Sequence, residues 1–208
     1  MSIHDPNPVN AKRPKRVAIV LSNPAVSPTT GGQVGFWWSE LTHPWFAFAE
    51  AGYEAEVFSY SGGRCEPDAM SDPRDPSGYS ATDLVSMGFI HTPDCARLIE
   101  DTAPVSAIAI DRFDAILVAG GQAPMVTMEH ATDLHALFVR FHDAGKVAAC
   151  LCHGSSILRY ARHADGTLLA GGKTVTGFAN VEEDFADEAV WQYNILPRGT
   201  HLMPWRIE

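Results

Sequence analysis

Short apolar runs that alternate with helical segments constrain the fold of this 208-residue chain more than any other feature. Residues 16–22 (RVAIVLS), 113–121 (FDAILVAGG) and 146–152 (KVAACLC) are typical of strands that are buried on both faces. Residues 53–60 alternate between apolar and polar like another strand, and residues 172–178 also have a strand pattern. These runs predict a sheet that is covered on both sides.

Helical patterns lie between these runs. The spacing of apolar residues predicts helices in the later part of 34–52, in pieces over 81–105, and over 131–145, where a glycine ends the pattern. Two more helices are expected to begin within 154–161 and 181–192. Strands that alternate with helices in this order predict an α/β fold, a three-layer sandwich with a mostly parallel sheet and helices on both faces.

Composition limits the classes of partner and of compartment. The formal net charge of -10 argues against a nucleic-acid partner, and no apolar run reaches the length that crosses a membrane. Four cysteines are too few for a disulfide framework, and the N-terminus has no apolar core, so we expect a cytoplasmic protein with reduced thiols.

The predicted organisation is a poorly ordered tail over 1–15 and a single domain over 16–208. The long loop over 61–80, rich in Gly, Pro and Asp, is expected to cover a site or to act in it.

Two cysteines end the run at 146–152. Cys150 and Cys152 have the spacing of one strand face and not that of a C-x-x-C redox or zinc site, and no second Cys/His pair accompanies them, so no metal is expected. Cys150 is interpreted as a small buried apolar residue. Cys152 ends the strand before a tight turn, the geometry of a nucleophile elbow, where a helix N-terminus is expected to lower the pKa of the thiol. Spacing alone leaves a second interpretation open, a buried cysteine at the start of a helix.

Three motifs in order resemble one family. The segment KVAACLCHGSSIL (146–158), which follows ILVAGGQAPM (116–125), resembles the DJ-1/PfpI superfamily, whose members have A-x-C-H-G after a strand and a glycine-pair turn upstream. The segments GFWWSELTHPW (35–45) and GKTVTGFANVEED (172–184) are similar to those of its Hsp31-like branch. The resemblance runs from about residue 16 to about residue 205. It implies a flavodoxin-like, class I glutamine amidotransferase-like fold, a homodimer and no cofactor.

The resemblance also implies a set of catalytic residues. Cys152 would be the nucleophile, and His153 its general acid/base partner. An acid that orients the imidazole would be Glu183, with Glu182 as the adjacent choice. Glu40 would lie against the cysteine sulfur and, with a raised pKa, donate a hydrogen bond to the thiolate.

Glycines and backbone N–H groups complete the implied site. The N–H groups of Gly121 and His153 would form an oxyanion hole, and Gly120 would let the backbone approach the substrate closely. Gly154 suits the crowded turn after the nucleophile. Gln122 stands where this branch often has His, which leaves the substrate preference open. The chain stops at MPWRIE where relatives continue, so the domain is expected to lack the family's C-terminal strand and helix.

The resemblance implies three alternative functions. The first is a cofactor-independent, glyoxalase III-like lyase of the D-lactate dehydratase type, which converts a small carbonyl substrate, a 2-oxoaldehyde such as methylglyoxal, to a 2-hydroxy acid. The second is another cysteine-nucleophile enzyme, such as an amidase, a peptidase or an isocyanide hydratase. The third is a non-enzymatic redox sensor or stress chaperone in which Cys152 is oxidised.

Overall fold

Strands and helices alternate along the chain in the computed structural model, which describes residues 14–208. The strands are β1 (Arg16–Leu21), β2 (Ala25–Val26), β3 (Gln33–Val34), β4 (Glu54–Ser59), β5 (Ala103–Pro104), β6 (Ala115–Val118) and β7 (Val147–Cys150). The α-helices are α1 (Trp38–Glu50), α2 (Leu84–His91), α3 (Pro93–Ala96), α4 (Pro124–Thr127), α5 (Thr132–Asp143) and α6 (Asn180–Gln192). Short 3-10 helices lie at Ala69–Ser71, Arg97–Ile99, Val105–Ala107, Ile110–Arg112 and Met128–His130, and a longer one lies at Cys152–Arg159.

The main sheet is parallel throughout and has the order β5-β4-β1-β6-β7. β1 lies at its centre, where Val20 pairs with Phe58 of β4 on one side and with Val118 of β6 on the other. β2 and β3 form a separate antiparallel ribbon. Because the strands are parallel, their carboxyl ends meet at one edge of the sheet, where sites in such folds lie.

Helices cover both faces of the sheet. Ala18 and Val20 of β1 point to the side of α5, where they pack in one apolar cluster with Leu134 and Phe138. The alternate residues of β1, including Ile19, point to the other side, where α1 and α2 contribute Leu41 and Phe89 to a second cluster. The predicted three-layer α/β fold is therefore confirmed, because the residues from Val17 to Leu21 of the central strand bury apolar side chains alternately in the two cores.

The prediction of a strand over residues 172–178 is wrong. Residues 173–179 have no strand assignment, and residues 171–177 are exposed. An alternating pattern makes a strand only where a neighbouring strand accepts its hydrogen bonds, and this segment has none among residues 14–208. The segment that begins at 154 is a 3-10 helix starting at Cys152. Most of the predicted N-terminal tail, residues 1–13, lies outside the described residues.

Loops and short helices surround the carboxyl edge of the sheet. The long segment over 61–80 contains only the 3-10 turn Ala69–Ser71, and it pairs with the backbone after β3 through a single bridge between Phe36 and Pro67. Within the described part of the chain, no helix is both long enough and apolar enough to cross a bilayer. Residues 160–179 join the 3-10 helix at Cys152–Arg159 to α6. They bring the first turn of α6 back to the carboxyl edge of the main sheet, where Glu183 contacts His153.

Candidate active site

Cys152 lies on the turn that joins β7 to the following 3-10 helix. Its φ of +46° falls in the left-handed region that residues other than glycine seldom adopt. Such strain persists only where the surroundings hold a residue in place, and it is frequent at functional sites. The turn is also crowded, since a Cβ on Gly154 would lie 2.6 Å from the carbonyl oxygen of Val118. This crowding explains the glycine, and the turn places the Cys152 sulfur at the carboxyl edge of the sheet.

His153 links the sulfur to a buried carboxylate. Its Nδ1 lies 3.3 Å from Cys152 Sγ, and its Nε2 lies 3.0 Å from Glu183 Oε1. His153 and Glu183 are only 5% and 3% exposed, and the Phe178 ring packs on the imidazole with centroids 4.4 Å apart. In the tautomer with the proton on Nε2, this N–H donates a hydrogen bond to Glu183, and Nδ1 is left as an acceptor that faces the sulfur. The arrangement therefore orients the imidazole so that it can act as a base beside the thiol.

Glu182 and Glu183 lie on the first turn of α6 but point in different directions. Glu182 turns back to the start of the helix, where its Oε2 accepts the Ala179 N–H at 2.8 Å. Glu183 points inward to the imidazole. Of the two acids that the sequence left open, the structure therefore brings Glu183 to His153 and leaves Glu182 as a helix cap.

Glu40 approaches the sulfur from the other side. It lies in the first turn of α1, and its Oε2 accepts the Gly120 N–H at 2.6 Å. The carboxyl group is also within hydrogen-bonding reach of the Cys152 sulfur. Burial raises the pKa of Glu40, and the hydrogen bonds from Gly120 and Cys152 and the charge of His153 offset only part of this rise. A raised pKa at Glu40 was also expected from the sequence.

The expectation of a lowered thiol pKa at Cys152 is wrong. Burial raises the pKa of this thiol above its usual range, and the nearby Glu40 carboxylate raises it further. The backbone N–H groups of His153 and Gly121 hydrogen-bond to the sulfur and lower the pKa, but by less. The correction follows from desolvation and from a like charge, both of which oppose a thiolate more strongly than a short helix start favours it. A base that takes the thiol proton is therefore required for nucleophilic attack.

The glycine turn after β6 lies directly against the nucleophile. A Cβ on Gly120 would lie 2.7 Å from the backbone nitrogen of His153, and Gly121 has a φ of +94°. The N–H of Gly121 and that of His153, the two groups that the resemblance assigns to an oxyanion hole, both hydrogen-bond to the Cys152 sulfur. The backbone N–H of Gln122 instead donates to Asp68 Oδ2 at 2.7 Å, while its side chain borders the cavity.

A cavity of about 260 Å³ opens above the sulfur. Most of its walls are apolar or aromatic, and its lining includes no Lys or Arg. The lining residues are Trp37, Ser39, Glu40, Met70, Tyr79, Gly121, Gln122, Cys152, His153, Phe178, Ala186, Leu202 and Met203. Within residues 14–208, no group of three His, Cys, Asp or Glu side chains is placed to hold a metal ion. The cavity therefore suits a small, uncharged molecule that has an electrophilic carbon.

Several site residues were not predicted from the sequence. Met70 and Tyr79 come from the long loop that was expected to cover a site, but the pattern of that loop did not identify them. Asp68, from the same loop, is buried beneath the glycine turn. Its neighbours Asp72 and Asp75, which are only partly buried, look the same in sequence, and no local signal separates a fully buried loop aspartate from a partly buried one.

Comparison with known proteins adds independent findings. A model of the DJ-1/PfpI family matches residues 34–196. The chain is 25% identical over 188 residues to the "Probable glutathione-independent glyoxalase hsp3103" of Schizosaccharomyces pombe, covering 79% of this chain and 72% of that protein. It is 29% identical over 156 residues to the "Glutathione-independent glyoxalase hsp3101" of the same yeast, covering 74% of this chain but only 62% of that protein.

A solved structure is also similar in fold. The "Rapid Encystment Protein 24 KDa" of Francisella tularensis superposes with a TM-score of 0.76 and 23% sequence identity. The match covers 93% of this chain and 78% of the other. At this identity the likeness concerns the fold alone, and it agrees with the three-layer architecture described above.

Proposed function

Because this chain belongs to the DJ-1/PfpI family, as its three motifs predicted, we propose that it is a glyoxalase III-like enzyme. It converts 2-oxoaldehydes such as methylglyoxal to 2-hydroxy acids, using Cys152 as the nucleophile and no cofactor. One observation carries the proposal: a single sulfur in a small apolar cavity is contacted by a carboxyl group, by an oriented imidazole and by two backbone N–H groups. The relatives named glutathione-independent glyoxalases support this choice among the reactions of a cysteine nucleophile.

The first step is addition of the sulfur to the aldehyde carbon. Glu40 takes the thiol proton, since the raised pKa of its carboxyl makes it a better base than an exposed glutamate. The thiolate then forms a C–S bond with the aldehyde carbon, and the carbonyl electron pair moves to oxygen. The N–H groups of Gly121 and His153 stabilise that oxyanion until Glu40 returns the proton to it, which gives a hemithioacetal.

The second step moves a hydrogen between the two carbons. His153 Nδ1 removes the proton from the carbon that is bonded to sulfur, and the electron pair moves to the second oxygen, which gives an enediolate. The Glu40 carboxylate then takes the proton of the first oxygen and delivers it to the second. His153 delivers its own proton to the neighbouring carbon, which leaves a thioester. Water hydrolyses the thioester, so the acid leaves and the Cys152 thiol is restored. The net reaction adds one water to the 2-oxoaldehyde, and no electron acceptor is needed.

Cavity size and polarity support a small neutral substrate. A volume of about 260 Å³ lies below the range of about 300–1,000 Å³ that is usual for pockets of drug-sized ligands. Trp37, Met70 and Phe178 are among the apolar walls, and no cationic side chain is present in the lining to pair with a phosphate or a carboxylate. These features favour methylglyoxal over peptides or charged metabolites.

A substrate panel tests the proposal. Purified protein is incubated, without glutathione, with methylglyoxal, with glutamine and other amides, and with an isocyanide. We expect loss of methylglyoxal together with formation of an equal amount of 2-hydroxy acid, and no turnover of the other compounds. Hydrolysis of an amide or hydration of the isocyanide without aldehyde turnover would favour the other cysteine-nucleophile enzymes. Oxidation of Cys152 by mild peroxide with no turnover at all would favour the redox sensor.

The pH dependence of thiol reactivity provides a second check on Glu40. Replacing Glu40 by Gln removes a negative charge beside the thiol while leaving an oxygen that can accept the Gly120 N–H. A nearby negative charge opposes a second one, so its loss should lower the pKa of the Cys152 thiol. Alkylation by iodoacetamide reports the equilibrium fraction of Cys152 thiolate and not the proton transfers of turnover, so we expect Glu40→Gln to raise its rate at pH 8 by about tenfold, which corresponds to a fall of about one unit in the thiol pKa. Mass spectrometry of the Cys152 peptide follows the reaction. An unchanged pH profile of alkylation would contradict the inference that the Glu40 charge raises the pKa of the Cys152 thiol.

A further inference from the structure

Two carboxyl groups hold the turn that follows β6. The Gly120 N–H donates to Glu40, and two residues later the Gln122 N–H donates to Asp68. Gly121 lies between them, and its N–H donates to the cysteine sulfur. Because the peptide groups on both sides of Gly121 are held, the direction of the middle N–H is set by the two carboxyl groups.

Asp68 is itself held rigidly. It is 1% exposed, and its Oδ1 accepts the Gly35 N–H at 2.8 Å. Its backbone N–H donates to the Phe36 carbonyl at 2.7 Å, and its carbonyl accepts the Ser71 hydroxyl at 2.7 Å. The backbones that it joins are in contact, since a Cβ on Gly121 would lie 2.5 Å from the Gly35 oxygen. The carboxylate thus connects two backbone segments between which no larger side chain would fit.

We propose that Asp68 is a positioning residue that aligns the Gly121 N–H with the oxygen that becomes negatively charged on the substrate. Asp68 does not line the cavity and acts through the glycine turn. The proposal rests on the proposed function, because it assigns Asp68 to the oxyanion hole of that reaction. Its physical basis is that an oxyanion donor helps only when it points at the position that the charged oxygen occupies.

An Asp68→Asn variant separates this role from simple packing. Asn has nearly the same volume but offers one acceptor oxygen in place of two, so either Gly35 or Gln122 loses its partner and faces an NH₂ donor. Removal of an oxyanion donor costs about 10²–10³-fold in kcat, and misalignment should cost less. We therefore expect kcat for methylglyoxal to fall about 10- to 100-fold while KM changes less than about twofold.

Thiol alkylation gives a readout that loss of stability alone would not move. The same Gly121 N–H stabilises the Cys152 thiolate, so Asp68→Asn should shift the pH profile of Cys152 alkylation by iodoacetamide to higher pH. This readout needs no substrate. If the wild type fails to convert methylglyoxal, the proposed function is wrong, yet a shifted alkylation profile would still support the positioning role. A profile and a kcat that both match the wild type would overturn it.

Asp83→Asn is the matched control. Asp83 also accepts several hydrogen bonds, from the N–H of Ser86 at 3.0 Å and its hydroxyl at 2.6 Å, and from His43 at 2.9 Å, but it caps α2 and does not line the cavity. We expect this variant to lose some thermal stability and to keep the wild-type kcat and alkylation profile. An equal loss of kcat in both variants would show a general effect of destabilisation and would contradict the proposal.

If Asp68→Asn does not fold, NMR of the wild type supplies the test. Burial raises the pKa of Asp68 to about 7, while the N–H groups of Gly35 and Gln122 lower it and the Glu40 carboxylate raises it. Protonation of Asp68 should shift the N–H signals of Gln122 and Gly121 with one common midpoint. Glu40→Gln removes the other carboxyl that faces the turn, and the common midpoint should persist in it. A Gly121 signal that stays constant while Gln122 titrates would overturn the proposal.

Discussion

Cys152→Ala should abolish the conversion of methylglyoxal to its 2-hydroxy acid. The sulfur is the atom that forms the covalent bond in the proposed reaction. The cavity lining also contains the hydroxyls of Ser39 and Tyr79, but it is the Cys152 sulfur that lies 3.3 Å from His153 Nδ1. Loss of a catalytic nucleophile typically removes about 10⁴-fold or more of the rate. We expect turnover to fall to the rate without enzyme, measured as loss of methylglyoxal and appearance of acid.

Cys150→Ala is the matched control for that experiment. Cys150 lies two residues earlier, in β7, where it packs against the core on the α5 side, and burial raises the pKa of its thiol to about 11. Unlike Cys152, it does not line the cavity that holds Glu40 and His153. We expect Cys150→Ala to keep the wild-type kcat with a modest loss of stability. Full activity in Cys152→Ala, or equal loss in both variants, would exclude Cys152 as the nucleophile.

His153→Ala should have the second largest effect. In the proposed reaction the imidazole is the base that moves the proton between the two substrate carbons, and general acid–base groups contribute about 10²–10⁴-fold. We expect kcat to fall within that range and KM to change little, in steady-state kinetics with methylglyoxal. Glu183→Gln should cost less, because the imidazole stays in place but loses the carboxylate that stabilises its charged form.

The neighbouring glutamate makes the test specific. Glu182→Gln changes the same functional group one position earlier on α6, where the side chain caps the helix. We expect Glu182→Gln to keep the wild-type kcat and to lose at most a small part of the thermal stability. If Glu182→Gln lowered kcat as much as Glu183→Gln, the imidazole would not be oriented by Glu183, and the proposed triad would fail.

Much of the fold could be predicted from local pattern. β1 and β6 are largely buried on both faces, so their residues form continuous apolar runs that are visible without any contact information. β7 has a similar apolar run and was expected to be buried on both faces, but it lies at the edge of the sheet, where Val147 is 62% exposed. The strand predicted over 172–178 failed because a strand also needs a neighbour, which an alternating pattern does not supply. The 3-10 helix at Cys152–Arg159 likewise reflects the crowded turn more than the propensity of its residues.

The candidate site was predictable where its residues are adjacent along the chain. Cys152 and His153 follow a strand, and this local sequence predicted a turn there, while the resemblance to the family was needed to choose between a nucleophile and a buried cysteine. The acid partner was not predictable by this means. Adjacent residues on a helix are rotated by about 100° about its axis, so only one of Glu182 and Glu183 can face the imidazole, and the docking of α6 decides which one.

The sequence by itself determined the layers of the fold and the sheet edge at which a site would form. It also identified Cys152, His153 and Glu40 as candidate residues of that site. Only the tertiary structure decided the electrostatics of that site. The pKa of the Cys152 thiol is raised, not lowered, because the packed chain removes water from the sulfur and brings Glu40 against it. The tertiary structure also decided that Asp68 is buried under the glycine turn. Desolvation and approach of distant groups depend on how segments far apart in sequence pack, and a local pattern does not contain that information.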